Sequence, residues 1–133
     1  MTRESSSIKA IRLASWITAL NVLAASGFAL VGLLRPELML PTGFVSTEAS
    51  HVFALYAAAR TIPLALITLA VIYWRWTQAL FILGVLAGVV QLADAAIGLY
   101  QPDFGKTIGP LTIAMLQFYS VYRIYQTHET WRS

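Results

Sequence analysis

Cysteine is absent, histidine occurs twice, and charged residues make up only 11% of the 133-residue chain. The first absence removes disulfides, thiol redox catalysis, iron–sulfur clusters and cysteine-based zinc sites. The scarcity of histidine leaves little from which to build a metal centre. His51 follows Glu48 by three residues, but no further histidine or carboxylate pattern extends the pair. A solvated helix end is expected there, and no metal site is assigned. His128 falls in the C-terminal tail, where exposure is expected. No Ser-His-Asp order, HExxH, GxGxxG or P-loop pattern is present. The net charge of +3 is small and scattered among Trp and Tyr residues, so no nucleic-acid partner is expected.

What the chain does have is apolar surface. Hydrophobic residues make up 58% and mean hydropathy is +0.68. A soluble domain carries about 25% charged residues, and a chain this small could not hide so much apolar surface in one core. Membrane insertion resolves the conflict. A membrane-crossing helix needs about 20 mainly apolar residues, and four stretches qualify, at 10–34, 49–74, 77–100 and 106–126. Runs of that length exclude barrel strands. The basic lead of Arg3, Lys9 and Arg12 precedes an apolar run from Ile11 to Leu34, too long for a signal h-region, so it reads as a retained first span. The expectation is a single all-α domain, an integral membrane four-helix bundle.

Ser46-Thr47-Glu48 predicts a helix N-cap with an acidic first turn. The short turn at Arg75-Trp76-Thr77 makes spans two and three antiparallel neighbours. Arg3, Lys9, Arg12, Arg75, Arg123 and Arg132 fall on one side of a four-span arrangement, and Arg35 and Lys106 on the other. That asymmetry places both termini in the cytoplasm of a multi-pass protein in the cytoplasmic (inner) membrane. Trp16, Trp74, Trp76, Trp131, Tyr119, Tyr122 and Tyr125 approach the same interface and read as an aromatic belt. The loop from Arg35 to Glu48 is apolar at Leu38-Met39-Leu40-Pro41-Thr42-Gly43-Phe44. It is expected either to lie in the interface as a shallow anchor or to fold back as a lid.

Membrane helices pack through small and polar residues. Span three carries Gly84, Gly88, Gln91, Asp94 and Gly98 on one broad face, and span one carries Ala14, Thr18, Asn21, Ala25, Phe28 and Gly32. Span two spaces Tyr56, Arg60 and Leu64 four apart, with Pro63 freeing the Ala59 carbonyl as an acceptor beside Arg60. Span four offers Gln117, with Gly109 and Pro110 near its outer end. At about 1.5 Å per residue, Arg60, Gln91 and Gln117 all lie roughly 15 Å below the outer span ends, and Asp94 roughly 10 Å. Asn21 is somewhat deeper.

A polar contact between membrane helices contributes about 0.6 kcal/mol, whereas burying a charge costs about 2.5–3.5 kcal/mol. The imbalance favours a use beyond holding helices together. Arg60 stays protonated and suits a carbonyl, carboxylate, phosphate or quinone oxygen. Asp94 suits a counter-ion or a proton-transfer group. The leading expectation is a bundle that binds a small amphipathic, quinone- or lipid-like ligand around a buried Arg60–Asp94 pair, with Gln91, Tyr56, Asn21 and Gln117 as further ligand-binding residues. One alternative is a membrane enzyme on a lipophilic substrate, with Asp94 as acid or base. A third is a small transporter working as a dimer, with Gly84 and Gly88 at an internal or a subunit contact. The expected partners are the lipid bilayer, a lipophilic small molecule, and a membrane protein or second copy of the chain.

The segments Tyr56-Ala57-Ala58-Ala59-Arg60 and Gln91-Leu92-Ala93-Asp94-Ala95 resemble small bacterial four-helix membrane proteins of the DoxX-like type and related uncharacterised families. The similarity covers spans two to four, with a looser match over span one. It implies a compact four-helix bundle in the cytoplasmic membrane, and a link to membrane oxidoreductase assemblies or quinone chemistry as an accessory subunit. Without cysteine or paired histidine, the chain itself is not expected to hold a haem, flavin or metal redox cofactor.

Overall fold

A computed structural model describes residues 3–41, 43–101 and 104–129, with the side chains of residues 3, 4, 128 and 129 left out. Trp131 and Arg132, the Pro102-Asp103 pair, Thr42, and the side chains of Arg3 and His128 therefore lie outside what can be described. Every regular element among the described residues is helical: α1 (Arg3–Leu34), a short 3-10 turn (Pro36–Leu38), α2 (Glu48–Tyr73), α3 (Thr77–Tyr100) and α4 (Phe104–Glu129). α1, α2 and α3 are long and apolar enough to cross a membrane. α4 is as long as α2 but interleaves its apolar residues with Lys106, Thr107, Thr112, Gln117, Ser120, Arg123 and Gln126, which lowers its hydropathy. α1 begins seven residues before the expected span and α4 two before it, because apolar patterning marks only the part of a helix that needs burial.

Local chemistry explains the helix ends. Thr47 caps α2: its hydroxyl accepts from the Ser50 N–H at 3.2 Å, while the Thr47 N–H donates to Ser50 Oγ at 2.9 Å. This reciprocal box satisfies two of the donors that a helix start leaves open. The other end closes on Arg75, whose φ of 57° is a left-handed conformation usually left to glycine. The Arg75 N–H reaches the Ile72 carbonyl and the Trp76 N–H the Val71 carbonyl, both at 3.1 Å. These bonds form a Schellman motif and reverse the chain within three residues. The rings of Trp74 and Trp76 stack at 5.4 Å on this turn.

The core concentrates at the turn end. Ala14, Val71, Leu80 and Ile124 bring all four helices together there, with Ile11, Ile72, Ala79, Phe81 and Leu83 packed against them. The longest seam joins α3 to α4, α1 lies against both α2 and α4, and α2 meets α3 sparingly. Gly84, Gly88 and Gly98 explain the α3–α4 seam. A Cβ on Gly84 would stand 2.8 Å from Val121 Cγ2, and one on Gly88 2.8 Å from the Phe118 ring. At Gly98 it would strike the Lys106 carbonyl and stand 2.7 Å from the Thr107 nitrogen. The Gly84–Gly88 pair therefore serves an internal contact. The 35–48 loop folds back in part: Met39 lies against Gly32, and Lys106 donates to the Met39 carbonyl at 3.1 Å. Leu38, Phe44 and Val45 remain exposed.

Candidate functional site

Two sets of polar residues stand at mid-helix depth, and the structure separates them. The first is a hydrogen-bonded chain through three helices. Gln91 on α3 donates to Asn21 Oδ1 at 2.6 Å. Asn21 on α1 donates to Gln117 Oε1 at 3.3 Å. Gln117 on α4 donates in turn to Thr18 Oγ1 at 2.8 Å. Ser120 caps the group by donating to the Gln117 backbone carbonyl at 2.8 Å. Gln117, Thr18 and Ser120 are fully enclosed, and Asn21 and Gln91 nearly so, at 3% and 5% exposure. The Asn21 and Gln117 amides each accept through the carbonyl and donate through the nitrogen, so the bonds run in one direction from Gln91 to Thr18. The layer expected from Asn21, Gln91 and Gln117 therefore forms. Thr18 and Ser120 complete it. Thr18 already shared the inward stripe of Asn21. Ser120 stands three residues after Gln117, the spacing that places both on one face of α4.

The second set is Arg60, Asp94 and Tyr56, and here the expectation of a buried pair is overturned. All three are exposed. Among the described residues neither Arg60 nor Asp94 makes an ion pair or hydrogen bond, and Arg60 does not take up the Ala59 carbonyl. Helix geometry gives the reason. The buried residues of α2 are Ala58, Ala65, Thr68 and Val71; at the level of Ala58, Arg60, two residues on, falls about 200° round the axis. The buried stripe of α3 is Leu80, Gly84, Gly88, Gln91, Ala95 and Gly98. Asp94 precedes Ala95 by one residue and so stands about 100° away from it, on the flank. Tyr56 lies one turn from Arg60 on the same outer face and is 58% exposed.

The two charges stand on α2 and α3, the helices that meet sparingly. Val71 is buried at the turn end beside Leu80. Arg60 precedes it by eleven residues, which puts the two within about 20° on the α2 surface. Along that line burial alternates: Val71 is buried, Ile67 exposed, Leu64 half-buried and Arg60 exposed. On the flank of α3, Ala79, Leu83 and Ala87 are half-buried, then Val90, Asp94 and Ile97 are exposed. Two faces that cover each other near the turn lose that cover towards the loop end, so α2 and α3 diverge. Pro63, inside α2, removes one backbone donor at the level where Arg60 emerges. Chemically, the two helices offer an exposed cation on α2 and an exposed anion on α3, both among exposed apolar side chains.

No family model, curated protein or solved structure matches the chain.

Proposed function

We propose that this is a four-span protein of the cytoplasmic membrane, both termini inside, which binds a small amphipathic ligand in the opening between α2 and α3. One observation carries the reading: Arg60, midway along α2, and Asp94, in the last third of α3, are exposed on apolar helices and lack partners among the described residues. An ionisable group at that depth is costly and ordinarily meets a partner. Where the chain supplies none, a bound polar head group is the natural one, with the ligand tail against the exposed apolar flanks. The run of α4 beside α3, from Lys106 at Gly98 to Val121 at Gly84, supports a fourth span, since a helix packed along a crossing helix shares its depth. The likeness to DoxX-like proteins in Tyr56–Arg60 and Gln91–Ala95 concerns the two segments that carry these charges, and an accessory role in an oxidoreductase assembly belongs to the same proposal. The buried amide chain is assigned to holding α1, α3 and α4 in register.

The test is ligand recovery. Protein extracted in mild detergent should carry a co-purifying amphiphile detectable by mass spectrometry, and Arg60→Ala should lower its recovery at least tenfold while the helical spectrum and melting temperature stay unchanged. Equal recovery from the variant would remove the reading.

A further inference from the structure

Beyond their first turns, α2 and α3 each carry one charged residue, and the two are opposite in sign: Arg60 and Asp94. Both are exposed, and neither has an ion pair or hydrogen bond among the described residues. Their surface neighbours are mainly apolar. Phe53, Tyr56 and Ile67 are exposed at helical spacing about Arg60, and exposed Ile97 lies one turn from Asp94. In the membrane placement proposed above, on which this inference rests, hydrocarbon offers neither charge a hydrogen bond. The ligand reading serves Arg60 only. An acceptor oxygen held by a guanidinium leaves a carboxylate unserved. Asp94 needs a cation at its own depth, and the cation that this chain turns outward among its apolar helices is Arg60.

Depth decides whether a second copy can supply it. Copies inserted by the same charge asymmetry share one orientation, so a side chain meets only those at its own level in a neighbour. α2 ends at Tyr73 and α3 starts at Thr77, on either side of the turn. Arg60 stands thirteen residues before the one, and Asp94 seventeen after the other, or about 20 Å and about 26 Å from the turn end. The offset of about 6 Å is one that an extended arginine side chain spans. We propose that Arg60 of one copy pairs with Asp94 of a second copy, so that the exposed faces of α2 and α3 form an interface between copies of this chain. In a two-fold dimer the contact is made twice, and each copy satisfies the other. Opposite charges then leave hydrocarbon together, which avoids the heavy cost of leaving either unpaired. A guanidinium has five N–H donors and a bidentate carboxylate engages two, so the pair leaves donors for a ligand head group at Arg60.

Energy transfer between full-length copies carrying two different fluorescent tags, mixed in phosphatidylcholine vesicles, tests the pairing. Wild-type copies should associate. Arg60→Asp and, separately, Asp94→Arg should each weaken self-association about tenfold or more, because each turns attraction into like-charge repulsion. Mixing the two variants should restore association to the wild-type level, since an acidic copy then faces a basic one. That restoration also requires both variants to be folded. A monomeric wild type, an association that neither variant weakens, or a mixture that stays apart overturns the proposal. If wild-type copies are monomeric while Arg60→Ala still strips the co-purifying amphiphile, this inference falls and the ligand reading stands. A chain that does not remain with the vesicles removes both.

Discussion

α3 meets its two neighbours in opposite ways. Against α4 it stays closed from Gly84 to Gly98, three glycines letting backbones and bulky side chains approach where a methyl would collide. Against α2, to which a three-residue turn ties it, it stays closed only near Val71 and Leu80 and then opens. Chain connectivity therefore brings two helices together at one end, and surface shape decides whether they remain together. Where lipid is as apolar as leucine, contact area and close approach hold helices, and the small-residue stripe supplies both. The α2-facing flank of α3 carries Leu83, Val90, Asp94 and Ile97 in place of glycine.

The comparison can be broken most directly at its closed side. Gly98→Val would place branched carbon against the Lys106 backbone, which cannot rotate away. A loss of about 3 kcal/mol or more is expected, at the upper end for overpacking, read as a fall in melting temperature in detergent. A smaller loss is expected from Gln117→Leu, which leaves the Asn21 amide and Thr18 without their recorded partner. Stranding buried polar groups costs about 1–3 kcal/mol, and replacement by Asn, which shortens the reach without removing the amide, should recover part of it. The open side should hardly respond. Val90→Phe adds an aromatic ring yet stands on the exposed flank, so a shift within about 0.5 kcal/mol is expected, as for surface sites. A large shift from Val90→Phe would mean that α2 covers α3 after all.

Much of the packed side was legible beforehand. The Gly84, Gly88, Gln91 and Gly98 spacing marks the buried stripe of α3, and Asn21, Gln91 and Gln117 share one level in three helices. The Thr47 cap and the acidic first turn at Glu48 also follow from local sequence, and Ser50 adds the reciprocal bond of a capping box. The open side was misread at Asp94, Arg60 and Tyr56. Asp94 stands three from Gln91, close enough to pass for the same face, but the stripe is narrow and leaves it on the flank. Arg60 was expected inward because charge in an apolar helix usually is. Its direction depends on which neighbour lies on which side of α2, and no window of α2 contains that.

Composition and periodicity by themselves determined that this chain is helical, apolar over long stretches, free of thiol chemistry, and equipped with one polar level at mid-depth; they marked four spans, of which the structure keeps three as helices long and apolar enough to cross a membrane. These properties follow from side-chain chemistry repeated at the helical period, which is local. Only the tertiary structure decided that α3 adheres to α4 rather than to α2, that the amides bond inward, and that Arg60 and Asp94 are exposed rather than paired with each other. Those outcomes depend on helix azimuth and on how closely two backbones can approach, quantities that exist only once distant parts of the chain have met.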